Sequence, residues 1–585
     1  MSFKILRVST FYTLFVLIII SCKKSTPAPT PVPTPPVVVV PPAGDTTVVP
    51  GTDPATANTI GFFLDNWKAK TFAAPDYADA TVPTDAANTI TVNATSIITK
   101  IPVTIFGHNT VWWMGPVAGQ SNFINPINNL QPHILRFPGG SSSDAYFWNA
   151  AQGILPADAP VKLLDASGNQ KDPGYNYGKT NYNWQSNLDD YYSMLQQTNN
   201  KGIITINYGY ARYGTSANPV ATAAHLAADW VRYDNGRTQL WEIGNENFGD
   251  WEWGYRIDLT ANKDGQTQFL TGALYAQHFK VFVDSMQKAA AEVGNKINIG
   301  AVTVEAPAQS WQTNTTQTWN AGMMPGVNNK ADFFVVHNYF TPYNQNSTAA
   351  VVLGAALTVP STMMNYVTQT LQGYGATPKP IVMDEWNMFA TGSKQQVSNT
   401  SGVFATLVMG ESIKNKYGMA ARWDVLNGWG NGDDHGLFSS GDEPGIAKWS
   451  PRPSFYYLYY FQKMLGDRMV NTSAQGSADI TAYASTYTSG QVNVTLVNSS
   501  ANAQTVAIKM KNFYAGNRFY WYSLEGSTDN GEFSRKVLVN GNGPSADAGG
   551  PATYATLKAQ SALTTNGIKV TVPGRGVVII AVDKK

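Results

Sequence analysis

The middle of the chain alternates short apolar runs with longer amphipathic segments, from about residue 101 to residue 466. The longer segments repeat apolar positions at the helical period. In 219–233, for example, Val220, Ala223, Ala227 and Trp230 fall on one face, and three further segments have the same pattern: 268–293, 401–416 and 453–465. The short runs predict eight strands: 103–107, 133–137, 202–207, 239–244, 297–303, 332–337, 380–384 and 420–425. Because eight strand–helix units close a parallel barrel, we predict an α/β fold with a (β/α)8 TIM barrel over residues 101–466.

The hydrophobic pattern changes after residue 466. Helical periodicity is lost, and strands such as 491–497 and 577–582 are separated by turns rich in Asn, Ser and Gly. This pattern predicts a C-terminal β-sandwich over residues 467–585. Residues 89–93 alternate in the same way, so the N-terminal segment 57–100 is expected to contribute a strand to the sandwich. The pattern gives no placement for residues 60–67.

Polar residues follow the predicted barrel strands at the point where each strand ends. They are Arg136 on the second strand, Asn207 on the third, Asn245 and Glu246 after the fourth, His337 and Tyr339 after the sixth, Glu385 after the seventh, and Trp429 after the eighth. The carboxyl ends of all strands meet at one face of such a barrel. We therefore expect these side chains to line one cleft.

Two glutamates at these strand ends suggest the chemistry. Glu246 lies in the run Trp-Glu-Ile-Gly-Asn-Glu-Asn at 241–247, and Glu385 in Val-Met-Asp-Glu-Trp at 382–386, so 385 − 246 = 139 residues separate them. Two carboxyl groups in one cleft are the minimum for cleaving a glycosidic bond, since one protonates the leaving oxygen and the other attacks or activates water. The alternative is that each is an ordinary loop glutamate.

Composition narrows the classes of function. Only 14% of the 585 residues are charged and the net charge is +1, so nothing attracts a nucleic acid electrostatically, and we expect no such partner. The 16 Trp and 29 Tyr residues form a large core or stacking surfaces for sugar rings. No metal or other cofactor is expected. Asp433, Asp434 and His435 are adjacent in sequence and seldom converge on one ion, so we predict a loop that contacts substrate there.

The N-terminus has the features of a secretion signal. Lys4 and Arg7 precede an apolar stretch at 11–20 that is too short to span a membrane comfortably, and Ser21 then stands immediately before Cys22. This arrangement resembles a bacterial lipobox, which implies a signal peptide at 1–22 and lipidation of Cys22. The alternative is an incidental cysteine ending a simple signal peptide. Cys22 is the only cysteine, so no disulfide is expected.

Residues 23–56 are rich in Pro and Thr and are predicted to be a disordered linker with polyproline II character. At about 3.1 Å per residue, the linker would hold a domain up to roughly 90 Å from its anchor. We expect a protein that is secreted across the inner membrane. It would be lipid-anchored at the bacterial outer membrane, on the periplasmic or cell-surface side.

The strand-end motifs resemble those of glycoside hydrolase clan A. Leu-Arg-Phe-Pro-Gly-Gly at 135–140, Gly-Asn-Glu at 244–246 and Asp-Glu-Trp at 384–386 are most similar to the α-L-arabinofuranosidase family, as is the barrel followed by a sandwich. The resemblance implies a retaining mechanism, with Glu246 as acid/base and Glu385 as nucleophile. Trp241 and the nearby Glu385 are expected to raise the pKa of Glu246.

The resemblance also implies roles for the other polar residues. Arg136 would hold Glu385 ionised, or else form a structural ion pair. Asn245 would contact the hydroxyl next to the anomeric carbon, or else be a turn residue. His337 and Tyr339 would orient the nucleophile or contact substrate, with a polar-core histidine as the alternative, and Asp384 would be structural. The candidate sugar platforms, each with plain packing as its alternative, are Trp148, Trp386 and Trp429.

The sequence departs from the arabinofuranosidase pattern at two positions. The family has a glutamate that grips the sugar shortly after the first strand, but residues 106–113, Phe-Gly-His-Asn-Thr-Val-Trp-Trp, contain no carboxylate. After Gly140 the chain has Ser141 to Asp144 instead of the usual cysteine or asparagine. Three functions therefore remain open: an arabinofuranosidase-like enzyme acting on plant or algal cell-wall polysaccharides, an endo-acting xylanase, glucanase or agarase of the same clan, and a non-catalytic carbohydrate-binding lipoprotein.

Overall fold

The computed structural model describes residues 49, 51–53 and 67–585, apart from 393–394 and 431–433. The predicted signal peptide, Cys22, most of the linker, residues 60–66 and Asp433 lie outside the described residues. The two predicted folds, barrel and sandwich, lie within them.

Eight parallel strands form a closed barrel, and each strand pairs with its neighbours in chain order. The strands are β1 Gly107–Asn109, β2 Ile134–Phe137, β3 Lys201–Ile206, β4 Thr238–Ile243, β5 Asn298–Val302, β6 Phe333–Asn338, β7 Ile381–Trp386 and β8 Met419–Arg422. The TIM barrel predicted from the eight apolar runs is confirmed.

The first strand differs from its prediction. Residues Val103–Ile105 form a 3-10 turn, and β1 begins only at Gly107, which pairs with Ala421 of β8. A Cβ at Gly107 would lie 2.8 Å from the carbonyl oxygen of Ala420, closer than real Cβ contacts come. The barrel therefore closes at a glycine, because only a residue without a side chain permits this approach.

Nine helices lie among the described residues: α1 Ser121–Leu130, α2 Leu188–Thr198, α3 Gly209–Tyr213, α4 Pro219–Asp234, α5 Gly272–Glu292, α6 Asn314–Val327, α7 Ala349–Gly373, α8 Asn399–Lys414 and α9 Pro453–Met464. By length and composition alone α7 could cross a membrane, but it packs against α8 in the barrel's helical layer. The four helices predicted from periodicity correspond to α4, α5, α8 and α9.

Long excursions leave the barrel at its carboxyl end. Between β2 and β3 lie a 3-10 helix and two small paired sheets: Gly140–Ala145, Tyr146–Phe147 with Asn176–Tyr177, and Leu163–Leu164 with Gln170–Lys171. Trp112–Met114 forms a 3-10 turn after β1, and Leu426–Asn427 pairs with Phe438–Ser439 after β8. These excursions build the rim around the strand ends.

The remaining strands form one 11-stranded sheet: Tyr77–Asp79, Asn88–Lys100, Arg468–Gln475, Ile480–Thr486, Val492–Asn498, Gln504–Lys511, Ala515–Gly526, Val537–Val539, Ala559–Leu563, Ile568–Val572 and Gly576–Lys584. The N-terminal strand Asn88–Lys100 pairs with Arg468–Gln475 on one side and Gln504–Lys511 on the other. Apolar residues from distant strands, such as Ile90, Val494 and Val570, meet in one core between the facing parts of the sheet.

The last strand of this sheet, Gly576–Lys584, has an unbroken apolar run because both of its faces are covered. Val578, Ile580 and Val582 point into the core of the sheet, whereas Val577 and Ile579 belong to the core of the barrel. Side chains alternate between the two faces of a strand, so a strand that is covered on both faces needs apolar residues at every position. Helix α8 fills the space between barrel and sheet, with every residue from Asn399 to Ile413 buried.

Candidate active site

Arg136 lies at the centre of the barrel mouth and is fully buried. Its Nη1 donates to Oε1 of Glu385 at 2.6 Å and to Oδ1 of Asn109 at 3.0 Å. Its Nε donates to Oε2 of Glu242 at 3.1 Å, and Nη2 donates to Oδ1 of Asn245 at 2.9 Å. One guanidinium thus fixes residues from β1, β4 and β7 relative to each other.

The carboxylates around Arg136 compensate its buried charge. Burial alone would lower the pKa of the guanidinium, but Glu242, Asp384 and Glu385 raise it above its usual value. Burial raises the pKa of Glu242 well above its usual range, although the charge of Arg136 acts in the opposite direction. At Asp384, burial alone would raise the pKa, but the charge of Arg136 together with hydrogen bonds from Glu242 and His337 lowers it to about 2.

Glu385, on β7, receives a hydrogen bond on each of its oxygens. Arg136 donates to Oε1, and the Tyr339 hydroxyl donates to Oε2 at 2.9 Å. The ring of Tyr339 stacks on Phe389 with centroids 4.4 Å apart. Only 3% of Glu385 is exposed, so its carboxylate has one fixed orientation in the mouth.

Glu246 faces Glu385 from the loop after β4. One carboxylate oxygen of each residue and a ring nitrogen of His337 lie within 4.8 Å of one another. Nε1 of Trp251 donates to Oε2 of Glu246 at 3.0 Å, and His337 contacts its Oε1. The backbone of Glu246 has a positive φ of 41°, an uncommon conformation for a glutamate that turns the chain sharply at this position.

His337 connects three carboxylates. Its Nδ1 lies 2.8 Å from Oε1 of Glu246 and 3.7 Å from Oε2 of Glu385, and its Nε2 lies 3.0 Å from Oδ1 of Asp384. Burial would lower the pKa of His337, but the charges of Glu385, Asp384 and Glu246 raise it well above its usual value. The imidazole is therefore a proton-holding group in direct contact with Glu246.

The expected pKa of Glu246 was wrong in direction and in cause. Burial alone would raise it, but the hydrogen bond and positive charge of His337, with smaller contributions from Trp251 and Arg136, lower the pKa of Glu246 below its usual value. Trp241 cannot contribute, because side chains alternate along β4: Glu242 points towards Arg136, whereas Trp241 packs outward against Trp230 at 6.0 Å. The tryptophan at Glu246 is Trp251.

Asn245 is held by a set of buried acids that the sequence analysis did not identify as site residues. Its Nδ2 donates to Oε1 of Glu252 at 3.0 Å, and its backbone N–H donates to Oδ2 of Asp144 at 3.2 Å. Ser141 also donates to Glu252 at 2.6 Å. Burial raises the pKa of Asp144 to about 7 and that of Glu252 well above its usual value. The unusual Ser-Ser-Ser-Asp segment thus supports Asn245 from behind.

Two more acids lie at strand ends and were also missed. Glu305 follows β5 and accepts a hydrogen bond from Nδ2 of Asn338 at 3.2 Å. Burial and the charge of Glu246 raise the pKa of Glu305 to about 7. Asp424 follows β8, and burial raises its pKa well above its usual range. The rule that identified Glu246, a polar residue within three positions of a strand end, would have identified both.

Asn207, directly after β3, is hydrogen-bonded to the helical turn that follows it. Its Nδ2 donates to the Tyr213 hydroxyl at 3.0 Å, and its Oδ1 accepts from the Tyr210 backbone at 2.9 Å. It therefore fixes the start of α3. Its predicted contact with substrate stays a prediction.

The predictions for Trp148 and Trp386 as sugar platforms were wrong. Trp148 is 7% exposed, stacks on Trp230 at 5.8 Å and donates to a carbonyl of α4. Trp386 is 1% exposed and packs towards Phe404 of α8. Neighbouring helices cover both indoles. Trp429 is partly exposed with the Arg535 guanidinium 5.0 Å from its ring, and its role stays a prediction.

The described residues of the segment 433–435, Asp434 and His435, do not offer their side chains to a substrate as expected, because both are buried. Asp434 and His435 are 0% and 2% exposed. Nε2 of His435 lies 3.1 Å from the Met388 carbonyl, and burial lowers the pKa of its imidazole to about 3. The ring of His435 packs against Phe389, with centroids 6.1 Å apart.

Three side chains have ligand atoms close enough together to hold a cation: Glu246, His337 and Glu385. Each already has a donor or acceptor within this site: Arg136 and Tyr339 on Glu385, Trp251 on Glu246, and Asp384 beside His337. The positive charge that the carboxylates need is supplied by Arg136 and His337. The arrangement is therefore suited to proton transfer and nucleophilic attack by the protein's own groups.

Comparison with known proteins agrees with the motifs. The family model described as alpha-L-arabinofuranosidase 1 domain matches residues 126–346, which include Arg136, Glu246 and His337. The resemblance to the α-L-arabinofuranosidase family is thereby confirmed. No curated protein matches the chain.

Solved structures share the fold at low sequence identity. The alpha-L-arabinofuranosidase of Thermotoga maritima is 16% identical with a TM-score of 0.57, over 84% of this chain and 99% of that chain. The GH51 alpha-L-arabinofuranosidase of Thermotoga petrophila RKU-1 is 16% identical with a TM-score of 0.58, over 85% and 100%. CelM2, a bifunctional glucanase-xylanase from a metagenome library, is 12% identical with a TM-score of 0.54, over 86% and 100%. These structures show the shared fold, and the family match supports a glycoside hydrolase.

Proposed function

We propose that this protein is a retaining glycoside hydrolase that cleaves plant or algal cell-wall polysaccharides by double displacement. The observation that carries the proposal is the approach of Glu246 and Glu385, whose carboxylate oxygens lie within 4.8 Å. Retaining enzymes hold their carboxyl groups about 5–5.5 Å apart, whereas inverting enzymes need about 6.5–9.5 Å to admit a water molecule. The separation leaves room for direct attack by a carboxylate on the anomeric carbon.

In the first step, Glu385 attacks the anomeric carbon and forms a glycosyl ester while the bond to the leaving oxygen breaks. Glu246 transfers to that oxygen the proton that it shares with His337. Arg136 and Tyr339 hold the two oxygens of Glu385 in place, so the nucleophile does not reorient during attack. Asn245, itself fixed by Arg136, borders the same space.

In the second step, Glu246 removes a proton from water, and the resulting hydroxide cleaves the ester and restores Glu385. His337 serves both steps because it shares a proton with Glu246 across 2.8 Å. Once that proton has gone to the leaving group, Glu246 remains a carboxylate beside a neutral imidazole and can act as base. The pair is thus suited to both roles without a large movement.

The match to the arabinofuranosidase family model supports an arabinofuranosidase-like activity. The loop after β1 favours a second candidate, an endo-acting glycanase of the same clan. At the position where a sugar-gripping glutamate is expected, Asn109 is fully buried, and its Nδ2 donates to the Asp384 carbonyl at 2.6 Å. From the N-terminal sequence we further propose secretion and lipid anchoring through Cys22.

The test compares Glu246→Gln and Glu385→Gln with wild type on aryl glycosides and polysaccharides. Glu385→Gln should abolish turnover on every substrate. Glu246→Gln should lower turnover about 10²–10⁴-fold on natural linkages, but less on aryl glycosides with good leaving groups, which need no acid. Azide, which needs no general base, should accelerate Glu246→Gln and yield a glycosyl azide with retained configuration.

Glu292→Gln is the matched control, since Glu292 ends α5 and pairs with Arg232 at the surface. It should behave as wild type. Near-normal turnover by either active-site variant, or an inverted product anomer in NMR, would contradict the proposal. Binding of a polysaccharide by wild type without any hydrolysis would instead favour a non-catalytic carbohydrate-binding protein.

A further inference from the structure

Five aromatic side chains form a row that leads away from the Glu385 side of the mouth. The order is Trp423, Trp113, Trp112, Trp184 and Tyr182, with successive ring centroids 6.1, 5.7, 5.6 and 5.5 Å apart. We call this set the aromatic row. None of its members takes part in the proposed catalytic steps.

The aromatic row crosses the carboxyl ends of three neighbouring strands. Trp423 follows β8 directly, and its N–H donates to the carbonyl of Trp386, the residue after Glu385, at 3.1 Å. Trp112 and Trp113 follow β1, and Trp184 lies in the excursion between β2 and β3. Because β8, β1 and β2 are adjacent in the barrel, the row begins beside the nucleophile and runs outward along one side of the mouth.

Backbone hydrogen bonds fix the loops that carry the row. The N–H of Trp112 donates to the Pro138 carbonyl at 3.0 Å, and the N–H of Ser186 donates to the Trp112 carbonyl at 2.6 Å. The loops after β1 and β2 are therefore tied to each other. The rings have defined positions before any ligand arrives, which lowers the entropy lost on binding.

Exposure increases along the row. Trp423 is 8% exposed, whereas Trp184 and Tyr182 are 50% and 41% exposed. Contiguous exposed aromatic surface is costly in water and marks binding sites in soluble proteins. All five residues are uncharged. The row therefore suits a neutral ligand with flat apolar faces, and pyranose rings with equatorial hydroxyls present such faces through their axial C–H groups.

The position of the row fixes which part of the substrate it binds. Glu246 protonates the leaving oxygen, so the departing part of the chain lies towards Glu246, and the part that becomes bonded to Glu385 extends towards the row. An enzyme that removes single terminal sugars needs a closed pocket on this side. The row instead continues outward over several rings.

We infer that the aromatic row binds successive sugars of an unbranched, β-linked pyranose chain, and that the enzyme cleaves this chain internally and releases oligosaccharides. The inference rests on the proposed function, because the direction of the chain follows from the roles of Glu246 and Glu385. The residues that select this class of substrate are Trp112, Trp113 and Trp184.

The first experiment measures product length. Wild type is incubated with linear β-1,4-xylan, with mixed-linkage β-glucan and with linear arabinan, and products are sized by mass spectrometry while viscosity is followed. Viscosity of one of the two β-linked pyranose polymers should fall early, and products should contain two or more sugars. Release of single sugars as the only products, or action on arabinan alone, would overturn the inference.

The second experiment measures the contribution of the row. Aryl glycosides carrying one to five sugars on the glycone side should show kcat/KM rising with length in wild type. Trp184→Ala should lose about tenfold on the longest substrate, mostly in KM, and change little on the shortest. Tyr374→Ala is the control, since Tyr374 follows α7 and is similarly exposed at 43%. Equal kcat/KM of Trp184→Ala and wild type on the longest substrate would overturn the inference.

Failure of the proposed function has a different signature. In that case wild type hydrolyses none of these substrates. Affinity electrophoresis in gels containing xylan or β-glucan then tests the row without catalysis, comparing wild type, Trp184→Ala and Tyr374→Ala. If wild type and Tyr374→Ala are retarded but Trp184→Ala is not, the aromatic row binds polysaccharide although the protein is not an enzyme. Equal migration of all three proteins would contradict both the binding role of the row and the proposed enzyme.

Discussion

Nη1 of Arg136 and Oε1 of Glu385 lie 2.6 Å apart, and their side chains are 0% and 4% exposed. Removal of one partner destabilises the fold, because the other charge is then buried without compensation in a medium of low polarity. Three further groups, Asn109, Glu242 and Asn245, orient towards the same guanidinium. The mouth of the barrel is therefore organised around one cation.

Substitution of Arg136 tests this organisation. Arg136→Met should lower the free energy of unfolding by about 3–5 kcal/mol and abolish measurable hydrolysis, because buried carboxylates lose their cation. Urea denaturation and initial rates measure the two effects. Arg232→Met, which removes a half-exposed ion pair with Glu292, should cost less than about 1 kcal/mol. A stable and active Arg136→Met would show that the ion pair is dispensable.

Tyr339→Phe isolates one hydrogen bond to the nucleophile. The ring keeps its stacking on Phe389, but the donor at 2.9 Å from Oε2 of Glu385 is lost. Hydrogen bonds to charged groups contribute about 1.5–3 kcal/mol, so kcat/KM should fall roughly 10- to 150-fold. The thermal midpoint should hardly move. An unchanged rate would mean that Arg136 alone positions Glu385.

His337→Gln tests the shared proton through the pH–rate profile. In wild type the pair formed by Glu246 and His337 keeps one proton until the pH exceeds the raised pKa of the imidazole. In the variant, the proton is lost at the pKa of the carboxyl group alone. The alkaline limb of kcat/KM should therefore move to lower pH. A limb at the same pH as wild type would exclude His337 as the proton-sharing partner.

Glu305→Gln tests a linkage between pH and stability. The pKa of Glu305 is about 7 in the folded protein, above the 4.5 of a free side chain, so the folded state binds the extra proton between these values. The free energy of unfolding must then fall as pH rises from about 4.5 to 7. The fall should be smaller in Glu305→Gln, by about 3 kcal/mol at pH 8, with no difference at pH 4. Denaturation at four pH values measures it, and parallel curves would contradict the assignment.

Asn399→Ala tests the junction of barrel and sheet. Nδ2 of Asn399, at the start of α8, donates to the carbonyls of Gly531 at 2.8 Å and Arg575 at 2.7 Å, and its Oδ1 accepts from Tyr457. Loss of these buried bonds should cost about 2–3 kcal/mol.

Barrel and sheet should still unfold in one transition, seen alike by fluorescence and far-UV circular dichroism. Gln372→Ala, an exposed amide on α7, should change stability by less than about 0.5 kcal/mol. Two separate transitions in the wild type would show that α8 does not couple the two folds.

Local patterns along the chain were sufficient for the barrel. A strand or a helix can be predicted from the spacing of its apolar residues, and this spacing depends only on residues close in sequence. Glu246, Glu385 and Arg136 could be selected because parallel strands bring their carboxyl ends to one face, whatever the helices between them contain. The same rule also selects Glu305 and Asp424, which follow β5 and β8.

What the sequence could not decide depends on contacts between distant residues. Trp148 and Trp386 have the composition of sugar platforms, but α4 and α8 cover them, whereas Trp184 remains open to solvent. The pKa of Glu246 is lowered by His337, which is 91 residues away in the chain. Periodicity is short-range information and fixes the elements, but the exposure and charge environment of a side chain are set only when the folded chain brings its neighbours together.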